Sequence, residues 1–264
     1  MTTLEERFQA SRPVLARLGR ADANGNPLGN AMMEEIAPDQ WRLIREACFG
    51  SLWTRPGLSM EQRSMATISI ITVLRRDDNL KGHIHSGLDV GLTAEQIVEI
   101  MLQLLFYTGA PIANTALRIA YDVFKERRLQ VNPYRAYNPA EDPEVLYQRG
   151  LAQRREVMGD TFAGDRDAGD EIDRDWERYV LEYLWGSVWT RPGLDTPSRC
   201  LVTLTAMTVV GTERALGRYI RAALRLGFSA AQVKELFFHV SFYIGVPLAR
   251  RAAALVGEVG PVQP

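Results

Sequence analysis

Apolar residues recur along this chain at helical spacing. After Thr93 the positions Ile97, Ile100, Met101, Leu104 and Leu105 form a stripe at i, i+3 and i+4. That pattern predicts a helix, which Gly109 and Pro111 end before the next one starts. The following helix carries Ala113, Ala116, Leu117 and Ala120, a small-residue face suited to close packing. Upstream, Glu61 to Arg76 has polar ends around the run MATISIITVL. Its β-branched content would suit a strand, but its length and flanking charges favour a helix. Ser59 with Gln62 has capping-box spacing at its start, as do Thr93 with Gln96 and Ser229 with Gln232. A further helix is predicted from about Asn79 to Val90, stopping at Gly91, a good residue just past a helix end. No segment alternates with period two, so the predicted class is all-α.

The pattern occurs twice. Residues 49–58 read FGSLWTRPGL and residues 185–194 read WGSVWTRPGL, an offset of 136 positions that then holds without a gap. Arg63 pairs with Arg199, Gly91 with Gly227, Gln96 with Gln232, Glu99 with Glu235, Tyr107 with Tyr243 and Pro111 with Pro247. A solenoid stacks units of roughly 20–45 residues. This repeat is far longer and occurs only twice, which fits two homologous units, residues 1–130 and 140–264, or one pseudo-twofold domain. Arg128 to Glu144, with Pro133, Pro139 and Pro143, reads as the junction.

Composition narrows the partners. The chain is 46% hydrophobic and its formal net charge is -1, which suggests no nucleic-acid footprint and no anionic-membrane binder. The start, Met1 to Arg7, lacks a cationic stretch followed by an apolar one, so no secretory signal is expected there. The longest strongly apolar stretch, Met65 to Leu74, is too short to span a bilayer. Cys48 and Cys200 are too few for a disulfide framework. A cytoplasmic protein is the simplest expectation. Three histidines give no convincing metal site, and no glycine-rich phosphate-binding motif is present, so no cofactor is expected.

The second half reads YQRGLAQRREVMGD at 147–160, EYLWGSVWTRPGL at 182–194, SRCLVTLTAM at 198–207, GFSAAQVKEL at 227–236 and FYIGVPLARRA at 242–252. This string resembles the carboxymuconolactone decarboxylase family from end to end. The first half resembles it from about Phe49 to Glu126, and residues 1–40 match loosely. The resemblance implies the alkylhydroperoxidase D-like helical fold, and subunits that assemble as rings of six. For two fused units it implies a homo-oligomer, with a trimer as the first expectation. It also implies decarboxylation of a small carboxylated lactone in aromatic catabolism, without a metal or organic cofactor.

The superfamily's peroxidase branch uses C-x-x-C, a following histidine and an upstream glutamate. Aligned on His83, those positions here are Arg76, Asn79 and Ser64, and in the second half Thr212, Ala215 and Cys200. Peroxide reduction needs a thiolate and a resolving thiol, and neither half has them. The decarboxylase branch typically shows E-L-x-x-H. The first half reads Asn79-Leu80-Lys81-Gly82-His83, keeping Leu and His; the second reads Ala215-Leu216-Gly217-Arg218-Tyr219, with both polar positions gone.

His83 is therefore the catalytic candidate, a proton donor to the carbanion left by decarboxylation if its pKa lies near neutrality. Arg55, Arg63, Arg191 and Arg199 are candidates to hold a carboxylate or stabilise an oxyanion. For Arg55 and Arg191 the alternative is to tie down their loops; for Arg63 and Arg199 it is a salt bridge. Trp53 and Trp189 are candidate apolar walls. His239 would complete a hybrid site, Tyr107 and Tyr243 are core residues or site lining, and His85 is expected to face solvent on the other side of its helix. The readings left open are a lyase on a small carboxylic acid or lactone, an isomerase or cyclase on the same fold, and a non-catalytic assembly or binding protein.

Overall fold

The computed structural model describes residues 3–159 and 170–259. Among the described residues there is no β-strand beyond one isolated bridge, Ala21 to Pro27. Nor is any helix long and apolar enough to cross a membrane. The first half comprises α1 (Leu4–Arg17), α2 (Ala31–Ile36), α3 (Pro38–Leu43), α4 (Met60–Val73), α5 (Asp77–Asp89), α6 (Ala94–Thr108) and α7 (Ala110–Glu126). The second comprises α8 (Pro143–Met158), α9 (Glu171–Tyr179), α10 (Thr196–Val210), α11 (Glu213–Arg225), α12 (Ala230–Ile244) and α13 (Val246–Glu258).

The helix starts follow from local chemistry. Ser59, Thr93 and Ser229 all form complete capping boxes with Gln62, Gln96 and Gln232. Gly91, at φ 111°, takes the left-handed conformation that lets the chain leave α5. The β-branched run of α4 is buried on nearly every side, as is that of α10. That explains why neither shows a clear polar face: a helix apolar all round belongs in the centre. Ala113, Ala116 and Ala120 are buried on α7, which packs on α6 and α5.

The periodicity does not predict a π-helical segment after α3 and another after α9. Ile44–Leu52 and Val180–Val188 are wound with the wider turn, and the Trp53 and Trp189 amides close them onto the carbonyls five residues back at 3.0 Å each. Gly50 and Gly186 sit inside these segments because another helix crosses them closely. A Cβ on Gly50 would lie 1.9 Å from the Arg7 carbonyl oxygen, and one on Gly186 2.3 Å from that of Leu146. Gly50→Ala is thus expected to lower stability by about 1–3 kcal/mol. An unchanged melting temperature would show that α1 can shift without cost.

The halves interlock. Helix α4 packs on α10 and α12, and α10 packs on α6. One hydrophobic core runs through both halves, from Ile68, Ile97 and Leu104 to Leu204, Phe237 and Val240. The two sequence units therefore share one core with pseudo-twofold symmetry. A smaller cluster, Val14, Leu15, Leu18, Cys48, Phe49, Trp53 and Val90, joins α1 to the first π segment.

Candidate active site

The symmetry produces two polar clusters, each built from both halves. In the first, Glu235 from α12 accepts from Arg55 Nε at 2.7 Å and from Arg63 Nη2 at 2.8 Å. Arg63 also donates to the Arg55 carbonyl at 2.7 Å and, through Nη1, to His239 Nδ1 at 3.2 Å. A guanidinium only donates, so His239 Nδ1 accepts and its Nε2–H faces Thr67 Oγ1 at 2.9 Å. Trp53 Nε1 donates to Tyr243 Oη at 3.2 Å.

The second cluster repeats this. Glu99 accepts from Arg191 and from Arg199 Nη2, at 2.8 Å each, and Arg199 Nη2 reaches the Arg191 carbonyl. Gln103 stands in for His239, accepting from Arg199 Nη1 at 3.1 Å and donating to Thr203 Oγ1 at 3.0 Å. Trp189 Nε1 donates to Tyr107 Oη at 3.0 Å.

These contacts place most of the sequence candidates. Arg63 and Arg199 are fully buried, and with Arg55 and Arg191 their charges are committed to Glu235 and Glu99. Trp53, Trp189 and His239 are buried in the same two clusters. The arginines therefore act here as ties between halves. The glutamates that anchor them were visible only as a repeated pair in the sequence. His85 is half-buried, its Nδ1 accepting from Arg127 Nε at 3.0 Å and its Nε2 3.2 Å from Glu126. It faces α7 side chains rather than open solvent.

The clusters diverge at the α5 and α11 positions. In the second, Tyr219 occupies the place of His83, and its hydroxyl lies 2.8 Å from that of Tyr107. Burial pushes the Tyr107 phenol up to about 12 and the Tyr219 phenol well above its usual value. In the first, the smaller His83 ring stands edge-on to Tyr243, with ring centres 5.9 Å apart. Both line a cleft of about 780 Å³.

Arg20, which the sequence did not flag, enters this cleft from the segment after α1. Its Nε donates to Ser86 Oγ at 3.0 Å, and its Nη2 lies 3.4 Å from His83 Nδ1. Among the described residues no carboxylate pairs with it. The contact makes Nδ1 the acceptor and puts the proton on Nε2, for which no described residue is a hydrogen-bond partner. Burial first, and the Arg20 charge second, lower the His83 pKa to about 3. The ring is neutral at pH 7, below the near-neutral pKa on which the proton-donor role is conditioned; the causes are the burial and the adjacent guanidinium. Cys48 also lines the cleft, but burial pushes its thiol up to about 12, leaving no thiolate.

His239 is likewise held at about 3, chiefly by burial and then by Arg63. Both histidines gain protons on unfolding between about pH 3 and 6.5, so stability is full above that window and falls as pH drops through it. Melting should fall from pH 7 to 5. His239→Gln, which can make the bonds that Gln103 makes, should flatten the decline, and an equally steep decline in that variant would remove His239 as a contributor.

The sequence has counterparts among known proteins. A family model described as the carboxymuconolactone decarboxylase family matches residues 38–122 and again 174–258. The chain belongs to that family. A 4-carboxymuconolactone decarboxylase of Acinetobacter baylyi is 32% identical over 117 residues, covering 44% of this chain and 87% of that protein. A nitrosuccinic acid decarboxylase of Metarhizium robertsii is 31% identical over 104 residues, covering 39% of this chain and 72% of that protein. Relatives with decarboxylase names thus resemble one unit of this tandem member. The family matches leave out residues 1–37, which supply Arg20 and part of the cleft wall.

Proposed function

We propose that the protein is a decarboxylase for an enolisable carboxylic acid or carboxylated lactone, with one working centre per chain at His83. The observation that carries this is the pair formed by Arg20 and His83: an arginine without a carboxylate partner among the described residues, beside an imidazole that lines the same cleft. The Arg20 guanidinium receives the substrate carboxylate. That pairing neutralises one of the two influences holding the ring neutral, and the bound negative charge favours the imidazolium. Loss of CO₂ breaks the carbon–carboxylate bond and leaves its electron pair in the neighbouring acceptor group as an enolate. His83 then passes a proton to the substrate carbon and recovers one from solvent. Net, one carboxylate and one proton become CO₂ and a C–H bond.

Arg55, Arg63, Trp53 and His239 act as positioning residues that hold Tyr243 against the His83 ring. The second centre, with Trp189, Arg191, Arg199 and Tyr107, keeps the scaffold but has two phenols where the first has a phenol and an imidazole. The deciding experiment compares CO₂ release by the wild type and His83→Ala, with carboxylated lactones and 2-substituted dicarboxylic acids as trial substrates. A homo-oligomer with the mass of a trimer is part of this reading and is checked by light scattering.

A further inference from the structure

The lining of the His83 cleft is unevenly distributed in charge and polarity. Its cations are Arg20, bonded into the wall, and Arg76, which stays exposed; among the described residues no aspartate or glutamate lines it. Asn79, one helical turn from His83 on α5, also lines the cleft and is uncharged. Away from this polar end most of the lining is apolar and comes from several elements. Leu28, Met33 and Trp41 belong to the stretch between α1 and the first π segment, Ile44 and Phe49 to that segment, Ile71 to α4 and Phe242 to α12. A volume of about 780 Å³ lies toward the upper end of the roughly 300–1,000 Å³ that encloses drug-sized ligands. A compact, highly charged acid would leave most of these apolar walls against water, with a single half-buried guanidinium beside His83 to meet its charges.

We infer that this cleft selects a monoanionic acid with a bulky apolar body, of the size of a bicyclic aromatic or larger. The carboxylate sits on Arg20 and the body lies between Trp41, Met33 and Phe242. The claim rests on the decarboxylase reading only for what happens to the carboxylate after binding. Arg20, Leu28 and Met33 come from the stretch that the family match omits and Trp41 from just inside it, so selectivity lies in residues 20–44 and the proton donor in α5. The absence of a lining carboxylate favours the anion, and the apolar area removed from water rises with each added ring.

The test is binding to the intact protein by calorimetry, with benzoate, 2-naphthoate, 2-naphthalenemethanol and succinate as probes. Expected are binding of 2-naphthoate at least ten-fold tighter than benzoate, and weak binding of succinate and of the neutral alcohol. Arg20→Gln should remove most of the preference of naphthoate over the alcohol. Trp41→Ala should weaken naphthoate several-fold with little effect on benzoate, and Asn79→Asp, which adds a charge to the lining, should weaken every acid. Circular dichroism shows which variants are folded; if Arg20→Gln is not, the Asn79 and Trp41 variants decide. Naphthoate binding no tighter than benzoate, or succinate binding best, would overturn the inference while leaving decarboxylation intact. Arg20-dependent naphthoate binding, with no CO₂ released from any activated acid, would instead sink the decarboxylase reading and leave the ligand class standing.

Discussion

His83→Ala is expected to slow CO₂ release by ~10²–10⁴-fold, the range over which a positioned proton donor contributes. The folded protein should otherwise be little changed. The ring is half-buried, and Arg20 approaches it at 3.4 Å. A kcat loss with near-normal binding of a substrate analogue would locate the effect in proton transfer, since the carboxylate is held by Arg20. His83→Tyr gives a sharper version. It copies Tyr219, places a phenol beside Tyr243 as Tyr219 lies beside Tyr107, and so should reduce both turnover and ligand uptake. If His83→Ala turned over at the wild-type rate, the donor would have to be another group and the proposed chemistry would fall.

The largest effect on stability is expected at Glu235. Its carboxylate meets Arg63, which is 0% exposed, and Arg55, which is partly exposed. Burial already pulls the Arg63 pKa below its usual value, with Glu235 the main influence opposing it. Glu235→Gln would leave a guanidinium in the core with a neutral partner, a change that costs about 3–5 kcal/mol when one member of a buried pair is removed. For a chain of this size, roughly 2–4 °C of melting temperature per kcal/mol puts the loss on the order of 10 °C. Glu99→Gln should behave alike, because Arg199 is equally buried and Glu99 is 1% exposed. Since each glutamate belongs to one half and its arginines to the other, these variants also probe the clasp between halves. Thermal unfolding that moved by less than a degree or two would mean that the carbonyl and His239 contacts suffice for Arg63 on their own.

Helix positions were legible because they depend on nearby residues. The three capping boxes, the stop at Gly91 and the stripe of α6 all involve partners within a few positions, and all are formed. The duplication was legible for the same reason, since both copies obey the same local rules. The π segments were not, because an apolar run wound at four or at five residues per bond looks alike in sequence. Their deciding feature is the crossing helix that presses on Gly50 and Gly186, which belongs to tertiary packing.

The site divides similarly. The sequence by itself determined an all-helical, duplicated chain of the decarboxylase family in which the α5 motif histidine is present in the first copy and replaced by Tyr219 in the second. Only the tertiary structure decided that Glu235 and His239 of one half serve Arg55 and Arg63 of the other, that the four motif arginines are neutralised ties, and that Arg20 stands beside His83. The reason is one of range. Caps and periodicities act over a few residues, whereas these partners lie up to 180 positions apart and meet only because two similar halves close around one core. Which charge is cancelled and which remains available to a substrate is set in that closure.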